Sequence, residues 1–76
     1  MPRITPIPAQ RLRRVFELAG FKCVRIEGDH IVMVKSGVLR PLVIPDWREV
    51  PVFIIRNNLR TAGLSREEYL SLLQKA

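Results

Sequence analysis

The one histidine of the chain, His30, stands in Glu27-Gly28-Asp29-His30, a short charged stretch between two apolar runs. Imidazole exchanges a proton between about pH 5 and 8, so a histidine on a polar turn can act as general base or acid without burial or a metal. A solvated surface histidine is the plain alternative for the same residue. Hydrolysis at a metal has less support. Asp29 and His30 are neighbours, and only Asp46, folded in from afar, would extend them to a ligand set. No cofactor and no metal is expected. The single cysteine, Cys23, lacks both a disulfide partner and a second ligand at zinc spacing, and reads as a small core residue in a reducing compartment.

The elements that must position His30 follow from periodicity. Phe21 to Ile26 and Ile31 to Lys35 read as strands, so His30 lies where a hairpin leaves its bend. In the first strand Val24 and Ile26 share one face, with Arg25 and Glu27 on the other. Ser36-Gly37 offers a two-residue turn into a third strand over Val38 to Ile44, with Pro41 marking an edge, bulge or interruption. Before the strands, Leu12, Val15, Phe16 and Ala19 recur at helical spacing from about Pro8, and Gly20 can end that helix. After them, Val52, Ile55, Leu59 and Ala62 mark a second helix between Pro51 and Gly63. Ser65 and Glu68 then form a capping box, Leu64 can staple against Tyr69, and Tyr69, Leu72 and Leu73 carry the last apolar stripe. The expected order is αβββαα: an α+β domain with a small three-stranded antiparallel sheet, helices on one face and the other face open to a partner.

At 76 residues the chain makes one small domain, divided here into a proline-rich arm at 1–8 and a single domain at 9–76. No apolar run is long enough for a signal peptide or a membrane span, so a cytoplasmic protein is expected. The net charge is +6, and residues 1–40 carry eight basic against three acidic side chains. Clustered cations bind phosphates by releasing counterions, which points to nucleic acid, with an anionic protein as the alternative partner. Lys22, Arg25 and Lys35, on the strands flanking the turn, are the candidate RNA contacts. A histidine beside them has a defined task, because metal-free RNA cleavage requires a base to take the proton of a 2′-hydroxyl that attacks the adjacent phosphate. The leaving oxygen needs a second donor, for which water, Lys22 and Lys35 all remain open.

Ala19-Gly20-Phe21, Val24-Arg25, Gly28-Asp29-His30, Ile44-Pro45, Leu59-Arg60-Thr61-Ala62-Gly63-Leu64-Ser65 and Glu67-Glu68-Tyr69 come in an order and at spacings that resemble the HicA toxin family, over residues 9–73. The resemblance implies a fold like that of double-stranded-RNA-binding domains, mRNA interferase activity and neutralisation by an acidic HicB-like antitoxin. It also implies that Gly28 and His30 correspond to the family's Gly-Ser-His motif, with His30 as catalytic residue and Gly28 beside the RNA. Asp29 replaces the motif's serine, and Asp46-Trp47 follows Pro45 where the family often has a basic residue and histidine. Both carboxylates oppose an incoming phosphate, and the alternative they raise is a non-catalytic RNA-binding or protein-interaction module of the same fold. The second helix opens with Val52-Phe53-Ile54-Ile55, which cannot all face inward. Trp47, Phe53 and Ile54 are therefore the candidate interface, with an antitoxin or between copies of the chain.

Overall fold

The computed structural model describes residues 3–76. Three helices and three strands follow in the order α1 (Ala9–Leu18), β1 (Lys22–Glu27), β2 (His30–Val34), β3 (Leu42–Pro45), α2 (Val52–Ala62) and α3 (Arg66–Lys75). The αβββαα order is the expected one. The strands form one antiparallel sheet in the order β1-β2-β3. No helix among the described residues is long and apolar enough to cross a membrane.

Each helix is delimited by local chemistry. Pro8 and Pro51 occupy the caps before α1 and α2, where a missing N–H is harmless. At the end of α1, Phe21 N–H donates to the Phe16 carbonyl at 2.9 Å and Gly20 N–H to Glu17 at 3.0 Å. This pairing needs the left-handed backbone that Gly20 takes, with φ +99°. The chain is thereby turned back so that the Phe21 ring meets Phe16 edge-on at 5.7 Å. α2 ends in the same motif at Gly63. α3 begins in a full capping box, with Glu68 N–H on Ser65 Oγ at 3.0 Å and Ser65 N–H on Glu68 Oε1 at 2.9 Å.

The core lies between one face of the sheet and the helices. Leu12, Val15 and Phe16 of α1 meet Ile31 and Met33 of β2, Leu42 and Ile44 of β3, Ile55 and Leu59 of α2, and Tyr69 of α3, all buried. Cys23 packs against this cluster as a small residue. Ile7, in the proline-rich segment, is also buried and forms an isolated antiparallel bridge with Val50. Met1 and Pro2 lie outside the described residues.

Two expectations about the sheet need correction. The third strand starts at Leu42, not Val38. The Lys35 carbonyl does accept from Val38 N–H across Ser36-Gly37, but pairing with β2 resumes only at Met33 opposite Leu42, after Pro41, which has no N–H to give. Val24 and Ile26 do not share a face either. A bulge between Cys23 and Arg25 leaves Val24 unpaired and resets the alternation, so that Ile26 stands opposite Ile31 of the core face, and both Val24 and Ile26 are about half exposed at the sheet's edge strand.

Candidate active site

His30 opens β2 directly after a two-residue hairpin loop, Gly28-Asp29, and pairs with Glu27 on one side and Pro45 on the other. Gly28 has φ +58° while Asp29 has a negative φ, the combination of a II′ turn with glycine first. A Cβ at position 28 would meet nothing within 4 Å, so the glycine is required by the backbone and not by crowding. Strand alternation places His30 on the sheet face opposite the core, together with Arg25, Glu27, Val43 and Pro45.

The imidazole is about half exposed, and its Nδ1 lies 2.9 Å from Asp29 Oδ1. A carboxylate can only accept, so Nδ1 carries the hydrogen and the lone pair of the neutral ring is at Nε2. Asp29 thus orients the ring and fixes its tautomer. The bend is tied to the next loop, where Asp46 N–H donates to the Asp29 carbonyl at 2.6 Å. That loop is anchored in turn, with Ala9 N–H on the Trp47 carbonyl at 3.0 Å and Gln10 Nε2 on Asp46 Oδ1 at 3.3 Å. The Asp46 carboxylate is therefore held at the start of α1. Among the described residues no three His, Cys, Asp or Glu side chains stand together as a metal-ligand group.

Beside His30 opens a cleft of about 270 Å³. Val43, Pro45 and Trp47 form one side of it, and Ile54, Asn57 and Asn58 of α2 the other. Trp47 is 44% exposed and Phe53 66% exposed, whereas Ile54 is partly buried against the core. The four apolar residues that open α2 therefore divide as their number required: Ile55 faces in and Phe53 faces out. Asn58 was not singled out by sequence reasoning. It is buried to 7% exposure, and its Nδ2 has no hydrogen-bond partner. The available signal was its position, four residues after Ile54 and three after Ile55, which puts a polar side chain at the border of the apolar stripe.

The basic residues are distributed unevenly about this centre. Arg25 pairs with Val32, two residues along β2 from His30, and its guanidinium forms an ion pair with Glu27. Lys22 pairs with Val34 at the far end of the strand. Lys35 is farther still, roughly 16 Å along the strand from His30 at about 3.3 Å per residue. Its Nζ donates to the Ala19 carbonyl at 2.8 Å and lies 5.7 Å from the Phe21 ring centre, closing the end of α1. A larger groove of about 520 Å³ lies at that end, bordered by Ala19, Lys35, Leu64, Glu67 and Glu68. Its two carboxylates repel phosphate, and it is remote from His30. In α1, Arg13 and Arg14 face Glu17, and Arg11 donates to the Leu73 carbonyl at 3.2 Å. The structure thus brings His30, Trp47 and Ile54 to one cleft with Arg25 nearby, and leaves Lys22 and Lys35 at the other end of the sheet.

Comparison with known proteins places the whole constellation in a family. No curated protein matches the chain. A family model described as the HicA toxin of bacterial toxin-antitoxin systems matches residues 9–64, from the first residue of α1 to the glycine cap of α2 and one residue beyond. That span is about three quarters of the 76 residues and holds His30, its hairpin and the cleft, and the chain belongs to the HicA toxin family.

Proposed function

We propose that this protein is an endoribonuclease toxin that cleaves mRNA without a metal, with His30 as the catalytic base, and that a HicB-like acidic antitoxin in the same cytoplasm neutralises it. The observation that carries this reading is the Asp29–His30 pair at 2.9 Å, exposed at the mouth of a cleft. Asp29, which replaces a serine in the family motif, supplies orientation of the kind a catalytic imidazole needs. Nε2 takes the proton of the 2′-hydroxyl, the freed oxygen attacks the adjacent phosphorus, and the bond from phosphorus to the 5′-oxygen breaks. The 5′-oxygen leaves with a proton from water, since Lys35 is held on Ala19 and Lys22, at the start of β1, stands opposite Val34 at the far end of the sheet. The products are a 2′,3′-cyclic phosphate and a 5′-hydroxyl.

Arg25, nearest to His30 among the candidate cations, and Lys22 hold the RNA backbone, while Gly28 keeps the hairpin narrow enough for the backbone to approach. The antitoxin's contact is the apolar rim of the cleft, where Trp47 and Phe53 are exposed beside Ile54. An acidic partner would combine steering by charge with an apolar centre there. End-group analysis tests the chemistry. Purified protein with excess chelator should cut a mixed RNA to fragments ending in cyclic phosphate and leave an all-deoxy copy intact. Cutting of the deoxy copy, or cutting abolished by the chelator, contradicts the mechanism. Clear RNA or antitoxin binding with no cleavage at all would favour the non-catalytic module.

A further inference from the structure

The positive charge that would hold RNA at His30 is sparse on the sheet. Arg25 is ion-paired with Glu27, Lys35 is held on the Ala19 carbonyl, and Lys22 stands at the far end. The outer face of α2 has what the sheet lacks. Phe53, Arg56, Asn57 and Arg60 follow at i, i+3, i+4 and i+7, the spacing of a single helix face, and all four are exposed. Among the described residues neither the Arg56 nor the Arg60 guanidinium has a hydrogen-bond or ion-pair partner, whereas Arg13 and Arg14 of α1 face Glu17. α2 itself contains no carboxylate to engage them. At i and i+4 the two arginines are about 5–6 Å apart at Cβ, so their forks can take neighbouring phosphates of one strand. Phe53, two-thirds exposed and one turn earlier, adds an aromatic plane. The face is continuous with the cleft, because Asn57 lines that cleft together with His30, Pro45 and Ile54.

We propose that the outer face of α2 is a track for single-stranded RNA, on which the strand leaves the cleft with its phosphates on Arg56 and Arg60 and an unpaired base on Phe53. The proposal rests on the reading of the protein as acting on RNA and adds the surface that holds the substrate beside the cut. Guanidinium groups without internal partners and an exposed aromatic ring, interleaved on one face, bind single strands by phosphate neutralisation and by stacking, whatever the sequence. A duplex keeps its bases stacked on one another and would leave Phe53 uncovered, so the strand is unpaired there. Arg25 then lies on one side of His30 and the α2 arginines across the cleft on the other, and the strand is held from both sides of the histidine. The antitoxin contact at Phe53 overlaps this track, so strand and antitoxin exclude each other there.

The test is binding of the full chain to a short mixed-sequence RNA whose sugars are all 2′-O-methyl, followed by fluorescence anisotropy across a salt series. This strand cannot be cut, because its attacking hydroxyls are capped. Arg56→Ala and Arg60→Ala should each lower the logarithmic salt slope by about 0.7, the single-strand value for one phosphate contact. Phe53→Ala should weaken the strand at least about fivefold with the slope unchanged, and should leave the matching duplex as tightly bound as before. Lys75→Ala is the control, at an exposed cation of α3 that lines neither the cleft nor the α2 face, and should change neither quantity. All four side chains are exposed, so the variants should fold, which circular dichroism checks. Slopes unchanged by the arginine substitutions, an unchanged affinity in Phe53→Ala, or a loss from Lys75→Ala equal to theirs overturns the proposal. Unchanged slopes with lost capture of a co-expressed acidic antitoxin assign the face to that partner instead. Because nothing is cleaved in this titration, its outcome is separate from that of the nuclease reading. Reduced slopes in a protein that cuts no RNA keep the track and remove the nuclease, while cleavage by a protein whose α2 variants bind as the native does keeps the nuclease and removes the track.

Discussion

Asp29 is the residue whose meaning changes most between sequence and structure. As a letter beside His30 it is a negative charge set against an incoming phosphate. In the folded hairpin its carboxylate accepts from Nδ1 and leaves Nε2 as the basic atom. Asp29→Asn should therefore lower the cleavage rate by less than the about 10²–10⁴-fold that a whole general base contributes, with RNA binding unchanged or slightly tighter. Single-turnover rates and filter binding on the same RNA check both parts. Asp29→Ser separates the two effects of the carboxylate: if orientation outweighs repulsion, the serine variant cleaves more slowly than the native protein near neutral pH. One buried polar atom makes a prediction about stability. Tyr69 is fully buried, its hydroxyl has no partner, and burial pushes the phenol above its ordinary pKa. Tyr69→Phe removes the unsatisfied group and should stabilise the fold by about 1 kcal/mol in urea unfolding. Nothing in the sequence around Tyr69 distinguishes a satisfied hydroxyl from an orphaned one, because the partner, if any, comes from another element.

At the scale of elements, what the sequence made legible and what it hid divide along physical lines. The helices were legible because their signals are local: an apolar stripe, a proline before, a glycine after, and the Ser65/Glu68 box. The third strand was misplaced because Pro41 acts on pairing with a distant strand, and its effect is visible only once β2 stands opposite. The parting of Val24 from Ile26 comes from a bulge, an extra residue that alternation alone does not reveal. The cleft was hidden for the same reason, since Trp47, Asn58 and His30 come from three elements. The capping box carries a pH dependence of definite sign. Hydrogen bonds from the Ser65 backbone N–H, and then its side chain, hold the Glu68 carboxyl below its ordinary value of 4.5. A depressed folded value means that this contribution to α3 is complete above the ordinary glutamate range and is lost as pH falls through the folded value. Glu68→Gln keeps an acceptor for Ser65 N–H and should flatten that acid limb, read as helical circular dichroism against pH. Ser65→Ala removes the cap itself and should cost about 1 kcal/mol near neutral pH. In the hairpin, Gly28→Ala forces a side chain into the left-handed region and should cost about 1–2 kcal/mol while blunting cleavage.

At the scale of the whole molecule, a net charge of +6 on 76 residues sets long-range attraction to polyanions, yet much of that charge is engaged at home. Arg11, Arg13, Arg14 and Lys35 each meet an internal acceptor. RNA affinity should fall steeply with salt, and Lys22→Ala and Arg25→Ala should each reduce the logarithmic salt slope by about 1. Lys35→Ala should change the slope less and destabilise the end of α1 more. An affinity indifferent to salt would remove nucleic acid as the ligand. The central claim is that one imidazole, oriented by its neighbour at the mouth of the cleft, performs the chemistry of the whole protein. It is tested most directly by comparing the native chain with His30→Ala on one mixed RNA, with excess chelator, after circular dichroism has shown both to be folded. The variant should fold because the side chain is half exposed and outside the core, should still bind RNA, and should cut at least about 10²-fold more slowly. Cleavage by the alanine variant at the native rate would contradict the account.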